Sequence, residues 1–298
     1  MAALDWPYEG ALPAVQDTPR FLQAGSNICL DFHGDPIRAK LTVFSDGNHH
    51  MALQETLRSF VAAYPMVEDV FYLTTPPRVA MQVLRSGCLN IGNLHLSVQP
   101  HVFISPPAVL EQMVAEGRMT VHQPFMRSTG IVLLVKKGNP KSILGISDLH
   151  RDDVRLFMSN PVTETVSYQA YADCLRNLSM RSGHALDFLD HQPGQHDPAK
   201  LDYGETIHHR EAPQCLADDR ADVAVVYFHL ALRYKRIFPN LFDFVWPTGS
   251  VGDQGCDASQ FNCGLVGNGG VWGGKLLEHL LSDEVASIYR SHGLESVS

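Results

Sequence analysis

The sequence predicts an α/β protein built on parallel sheet. Short apolar runs of strand character recur along the chain, and most are followed by a segment of helical period. The turns between them carry the Gly, Pro, Asn and Ser that stop strands and start helices. Strands alternating with helices imply a parallel sheet covered on both faces. At 298 residues, 45% of them hydrophobic, the chain can bury one or two full cores.

Residues 1–37 are rich in Pro, Ala and Gly and read as an extended arm, with one short helix near Phe21 and Leu22. Leu41, Val43 and Phe44 then form a buried strand, and Met51, Leu53, Leu57 and Phe60 recur at helical spacing. Ser45 to His50 must be a short turn into that helix. The first amides of a helix have no intrahelical acceptor and its N-terminus is partly positive, so an anion can sit there. Gly47 lets the backbone approach a ligand, Asn48 is a good N-cap, and His49 and His50 stand beside it. An ordinary capped helix start with solvated histidines accounts for the same residues.

Val70 to Leu73 is a second strand, and Val79 to Leu84 begins a second helix that Thr75 can cap, with Pro just inside its start. Asn93 to Val98 and Val102 to Ser105 read as strands, and Ala108 to Ala115 as a helix closed by Gly117. Gly130 to Gly138 is the most strand-like run. Ser147 to His150 is a helical turn and Val154 to Met158 a strand. A polar turn leads into a helix from Tyr168 to Leu178, and residues 187–206 form a polar loop. Glu211 to Leu216 is helical, and Asp222 to Phe228 is a buried strand followed by the helix-like HLALRY. Phe242 to Trp246 and Phe261 to Val266 are strands. Gly267 to Gly274 is a flexible glycine turn, and Gly274 to Tyr289 is one amphipathic helix.

The formal charge of −9, with no basic run, argues against non-specific binding to nucleic acid or anionic lipid. The N-terminus lacks the apolar run of a signal peptide and no segment is apolar for long enough to span a bilayer, so the chain as written is expected in the cytoplasm, without membrane insertion, as a monomer. Six cysteines are scattered without a CxxC. A Cys256–Cys263 clip is open to them, but free buried thiols are the expectation for all six.

The order of segments resembles the type II periplasmic binding fold, most of all the molybdate- and tungstate-binding proteins of ABC importers. The matching pieces are LTVFSDGNHHMALQETLRSF, VAMQVLRSG, HVFISPPAVLEQMVAEG, GIVLLVKKGNPK, VRLFMSNP, ADVAVVY and SDEVASIYRSHGL. The resemblance implies a two-lobed α/β fold with the ligand cleft between lobes: residues 38–129 plus 262–298 as the first lobe and 130–261 as the second. It implies a solute-binding protein, not an enzyme, that closes on a small inorganic ligand, a tetrahedral oxyanion such as molybdate or tungstate, with an ABC permease as partner and no required cofactor. A periplasmic location follows if that role holds and a leader is missing. Position by position, the family's first hydroxyl-bearing turn falls on Asn48, its second on Thr75, the turn after the SNP strand on Val162 to Ser167, including Val166 and Ser167, and its closing tyrosine on Tyr227. Ser-rich turns have here become GNHH and TTPP. His208-His209-Arg210 has no counterpart in the molybdate proteins.

Fifteen histidines include two adjacent pairs, His49-His50 and His208-His209. Adjacent residues cannot easily chelate one ion, but one from each pair can if the lobes face each other. Neutral imidazoles would then ligate a transition metal, making His49, His50, His208 and His209 candidate metal ligands, whereas protonated ones would bind an oxyanion more tightly at pH 6 than at pH 8. Arg210 complements an anion or pairs with Glu211. His191 and His196 stand near Asp187, Asp190 and Asp197, where solvation or a surface metal is open. No GxSxG, HExxH, P-loop or dinucleotide motif occurs. A cytosolic sensor, or an enzyme resembling thiamine-pyrimidine synthase, is the further alternative on the same fold.

Overall fold

The computed structural model describes residues 32–36, 38–91, 94–183, 186–190, 196–205, 207–250, 256 and 259–297. The N-terminal arm up to residue 31, with Cys29, lies outside the described residues, as does His191. In chain order the strands are β1 Phe32–His33, β2 Leu41–Ser45, β3 Val70–Thr74, β4 Leu89–Ile91, β5 Leu94–Leu96, β6 Val102–Ser105, β7 His122–Ser128, β8 Ile131–Lys136, β9 Leu156–Met158, β10 Leu201–Tyr203, β11 Val223–Tyr227, β12 Phe242–Val245, β13 Gln260–Leu265 and β14 Leu294–Ser296. The α-helices are α1 His50–Ala63, α2 Pro77–Ser86, α3 Pro107–Ala115, α4 Thr165–Ser182, α5 His208–Ala217, α6 Phe228–Ile237, α7 Gly270–Leu280 and α8 Asp283–Ser291.

The chain divides into two units. Among the described residues, an inserted unit runs from Ser128 to Cys256, and an outer unit is made of Phe32–Arg127 together with Ser259–Val297. In the outer unit the sheet order is β1-β3-β2-β6-β13-β7-β14. β2 lies between β3 and β6, parallel to both. Side chains of a strand alternate between faces. Leu41 and Val43 therefore join Phe60, Leu276, Val285 and Tyr289 on one side, while Phe44 joins Leu84, Phe103 and Leu110 on the other. Both faces of β2 are buried, which is why apolar residues face both ways along it and Thr42 and Ser45, the polar ones, are buried too.

The inserted unit has the sheet order β10-β9-β11-β8-β12, with β9 parallel to β10 and β11. Both sheets are mixed rather than purely parallel: β8 is antiparallel to β11 and β12, and β13 to β6 and β7.

Several local expectations are corrected. Asp46, not Asn48, caps the turn: its carboxylate accepts the Asn48 N–H at 3.0 Å and the turn is a single 3-10 helix over Gly47–His49. Thr75 caps nothing, since α2 starts with Pro76 at the cap and Pro77 inside. The predicted helix from Gly274 to Tyr289 is two helices, because Ser282 accepts the Val285 N–H and restarts the chain as α8. The glycine turn 267–274 is half helix: Gly267, Gly269 and Gly270 take φ of 59°, 65° and 58°, and α7 begins at Gly270. The thiols are not all free, because Cys174 is bonded to Cys256 with Cα atoms 5.3 Å apart, and Cys263 is buried and unbonded.

Candidate functional site

In parallel strands, residues at one register level stand side by side, and those two positions apart share a face. Phe44 pairs in register with Leu73 on β3 and with Phe103 on β6. All three belong to one core cluster. Two residues further along each strand come Asp46, Thr75 and Ser105, which therefore form a row at the carboxyl ends of three adjacent strands, with Asp46 in the middle. The backbone keeps them level: Asp46 N–H donates to the Ile104 carbonyl at 3.1 Å. A Cβ at Gly47 would stand 2.6 Å from the Thr74 carbonyl, so only glycine lets the turn approach β3 this closely.

The three side chains are buried, and Asp46 is only 8% exposed. Among the described residues, Thr75 Oγ1 and Ser105 Oγ have no hydrogen-bond partner. A buried hydroxyl without a partner costs free energy and is a donor awaiting an acceptor. Asp46 is an acceptor. Burial pushes its pKa up to about 6, against the smaller opposing effect of the Asn48 N–H. Sequence reasoning found Thr75 but missed Asp46 and Ser105. A signal was present: Thr75-Pro76-Pro77 and Ser105-Pro106-Pro107 are the same hydroxyl-Pro-Pro at two strand ends, each entering a helix whose first N–H is dispensable.

The histidines of the first pair have other work. His49 is fully buried, with its ring tilted against Phe261 and Tyr289. The Ser45 hydroxyl donates to the Asp46 carbonyl, so His49 Nε2–H donates to Ser45 Oγ at 2.9 Å and Nδ1 accepts from the Tyr289 hydroxyl at 3.0 Å. Neither nitrogen is left for an ion. His50, half-buried at the start of α1, places Nδ1 3.0 Å from the Gly47 carbonyl. The Asn48 side chain is half-buried.

In the inserted unit, Ser159 follows β9 and its buried hydroxyl has no partner among the described residues. Asn160 braces the turn beyond it, its Oδ1 accepting from Val162 N–H and Thr163 N–H and its Nδ2 donating to the Gly204 carbonyl. Val166 and Ser167 lie in the first turn of α4, Val166 exposed and Ser167 half-buried. Glu164, just before that helix, accepts the N–H of His208 at 3.0 Å, and Glu211 accepts the N–H groups of Glu205 and Ile207 at 2.7 Å each. The start of α5 is thus held by the chain's own carboxylates. Burial pushes Glu164 up to about 7. His208 stacks on Phe157 at 5.2 Å; burial drives its pKa down to about 3, and its Nε2 has no partner among the described residues. It is a neutral acceptor, not an imidazolium. His209 offers its carbonyl to the Tyr234 hydroxyl, and Arg210, half-buried, lies close enough to Tyr234 to act on its charge. Tyr227 ends β11 with its ring against Tyr171 at 5.0 Å and His229 at 5.6 Å. Among the described residues no three His, Cys, Asp or Glu side chains stand together in a way that could hold a metal ion.

Two α/β units, one inserted in the other, each with a helix-starting turn at the carboxyl ends of its parallel strands, define the type II periplasmic binding fold. The chain belongs to the bacterial extracellular solute-binding protein family, whose profile matches residues 41–295. Among solved structures it is similar to the periplasmic molybdate-binding protein of Azotobacter vinelandii, with 13% identity over 87% of this chain and 99% of that one and a TM-score of 0.59. It is similar also to the sulfate-binding protein SubI of Mycobacterium tuberculosis, with 14% identity over 87% of each chain and a TM-score of 0.61. Iron-bound HitA of Pseudomonas aeruginosa matches with 14% identity over 83% of this chain and 82% of that one, at a TM-score of 0.54. No curated protein matches the chain by sequence. These likenesses show the fold.

Proposed function

We propose that this solute-binding protein takes a small tetrahedral oxyanion, of the size of sulfate, phosphate, molybdate or tungstate, and delivers it to an ABC permease. The observation that carries the reading is the pair of buried, unpartnered hydroxyls of Thr75 and Ser105 at the ends of β3 and β6, on either side of β2, since an oxyanion accepts hydrogen bonds and these are donors in need of an acceptor. Asn48 in the outer unit, and Val166, Ser167, Arg210 and Tyr227 in the inserted unit, are the further proposed ligand-binding residues. The molybdate and sulfate proteins that share the fold support an oxyanion; iron-bound HitA shows that the fold itself does not choose the sign of the charge. The loss of His49 to the core weighs against the metal cation. A site outside the cytoplasm is part of the proposal, supported by the Cys174–Cys256 bond, which persists in oxidising compartments.

Calorimetric titration of the apo protein with sulfate, phosphate, molybdate, tungstate, Zn²⁺ and Ni²⁺ tests it. Saturable binding of at least one of the four anions is expected, weakened at least about tenfold in Thr75→Val, which removes the hydroxyl and keeps the shape. Saturable binding of the cations alone would overturn the reading.

A further inference from the structure

The row at the strand ends does not stop at Ser105. The next strand of the sheet, β13, runs antiparallel to β6 and sets Asn262 in register with Ser105. Partners in an antiparallel pair point to the same face, with Cβ atoms about 5 Å apart. Asn262 is therefore the next member of the row after Thr75, Asp46 and Ser105, and it is only 5% exposed. Its neighbours on β13 agree with that face: Phe261 and Cys263 point the other way, into the core that holds Leu41 and Val43.

The Asn262 amide is held in one orientation. Gln260 Nε2 donates to its Oδ1 at 2.9 Å, so the nitrogen end faces His122 and Nδ2 donates to His122 Nδ1 at 2.8 Å. An amide nitrogen carries two N–H groups. One serves His122; the second makes no hydrogen bond among the described residues, on the face that carries the unpartnered Ser105 hydroxyl. A bulge brings His122 there. β7 pairs Met126 with Phe261 but Pro124 with Asn262, so Phe125 is the extra residue and turns into the core beside Met126. Without it Phe125 would oppose Asn262 and His122 would lie on the other face. Bulges recur beside binding sites, where they re-aim a side chain.

Resting on the oxyanion reading above, we propose that Asn262 is a further binding residue of the outer unit, its free Nδ2–H donating to the anion alongside the Ser105 hydroxyl. Gln260 and His122 are positioning residues that fix which end of the amide the anion meets. An amide free to turn would present its oxygen as readily as its nitrogen, whereas a donor fixed beforehand spares that reorganisation on binding.

The test is an NMR titration of the isotopically labelled wild-type protein with sodium sulfate, phosphate, molybdate and tungstate, following the Asn262 side-chain amide resonances, with calorimetry on Asn262→Ala and Asn262→Asp. For each anion that binds, these resonances are expected to shift and to saturate with the binding curve, and Asn262→Ala to bind it at least about tenfold more weakly. Asn262→Asp keeps oxygens that can accept from Gln260 and His122, so the fold is retained while charge replaces the donor; anion binding should fall at least about a hundredfold. Asn262 amide resonances that stay in place at saturation, or a folded Asn262→Ala that binds as tightly as wild type, overturn this inference and leave the oxyanion reading standing. Binding of none of the four anions overturns both. The resonance shift is read on the wild type, so a misfolded variant does not weaken the test.

Discussion

Asp46 is held in the folded protein at a cost. Its pKa rises from 3.8 to about 6 because burial disfavours the ionised form. A carboxyl whose folded pKa exceeds its unfolded value binds its proton more tightly in the folded state, so stability is lower above pH 6 and is regained as pH falls from about 6 toward 4. The cost above pH 6 is at most about 3 kcal/mol. Asp46→Asn should therefore stabilise the protein at pH 8 by about 1–3 kcal/mol and have little effect at pH 4, as urea unfolding at the two pH values would show. An equal effect at both would mean the charge is already compensated. The same titration governs binding. The histidines were expected to tighten oxyanion binding at low pH, but His208 stays neutral above about pH 3 and His49 is engaged at both nitrogens. Asp46 replaces them with the same sign: protonation removes a repelling charge, so sulfate affinity should rise between pH 8 and pH 6, by up to about fiftyfold for a group of pKa 6.

The elements divide into those that local chemistry dictates and those that only tertiary pairing reveals. β2, β3, β6 and β8 were legible because each is buried on both faces and is made mostly of apolar, β-branched or aromatic residues. β7, HQPFMRS, was not, since His122 and Gln123 are half-buried and Pro124 interrupts it; it is a strand because β13 pairs with it. β10 hid in a polar loop for the same reason: Asp202 and Tyr203 read as polar, and the pairing with β9 makes them strand. Thr75 and Tyr227 were legible as residues ending strands, each in its own unit, whereas Asp46 was absorbed into a turn and its place between Thr75 and Ser105 depends on register, which no local pattern carries. The break between α7 and α8 was legible in principle from Ser282 followed by Asp283 and Glu284, a serine cap with acidic residues in the first turn. Ser282→Ala should cost about 1 kcal/mol, read as a lower midpoint in urea with an unchanged slope, and Ser282→Asp should recover most of it.

At the scale of the whole molecule, the two units are stabilised differently. The inserted unit carries a bond between Cys174 on α4 and Cys256, 82 positions apart in sequence, with β10, α5, β11, α6 and β12 between them. Cα atoms 5.3 Å apart lie within the span a disulfide accepts. Closing so long a loop removes conformational freedom from the unfolded chain, worth about 2–4 kcal/mol in measured cases. The outer unit shows no such clip among its described residues, where Cys263 is a buried thiol. Reduction should consequently destabilise the inserted unit alone. The buried thiols of Cys215 and Cys263 will not confuse the result, since burial pushes both up to about 12 and leaves them inert. Calorimetric unfolding with and without a reductant is expected to resolve one transition that shifts downward and one that stays, and the double variant Cys174→Ser, Cys256→Ser should reproduce the reduced profile without reductant. A single transition moving as a whole would mean the two units unfold together, with the clip serving both.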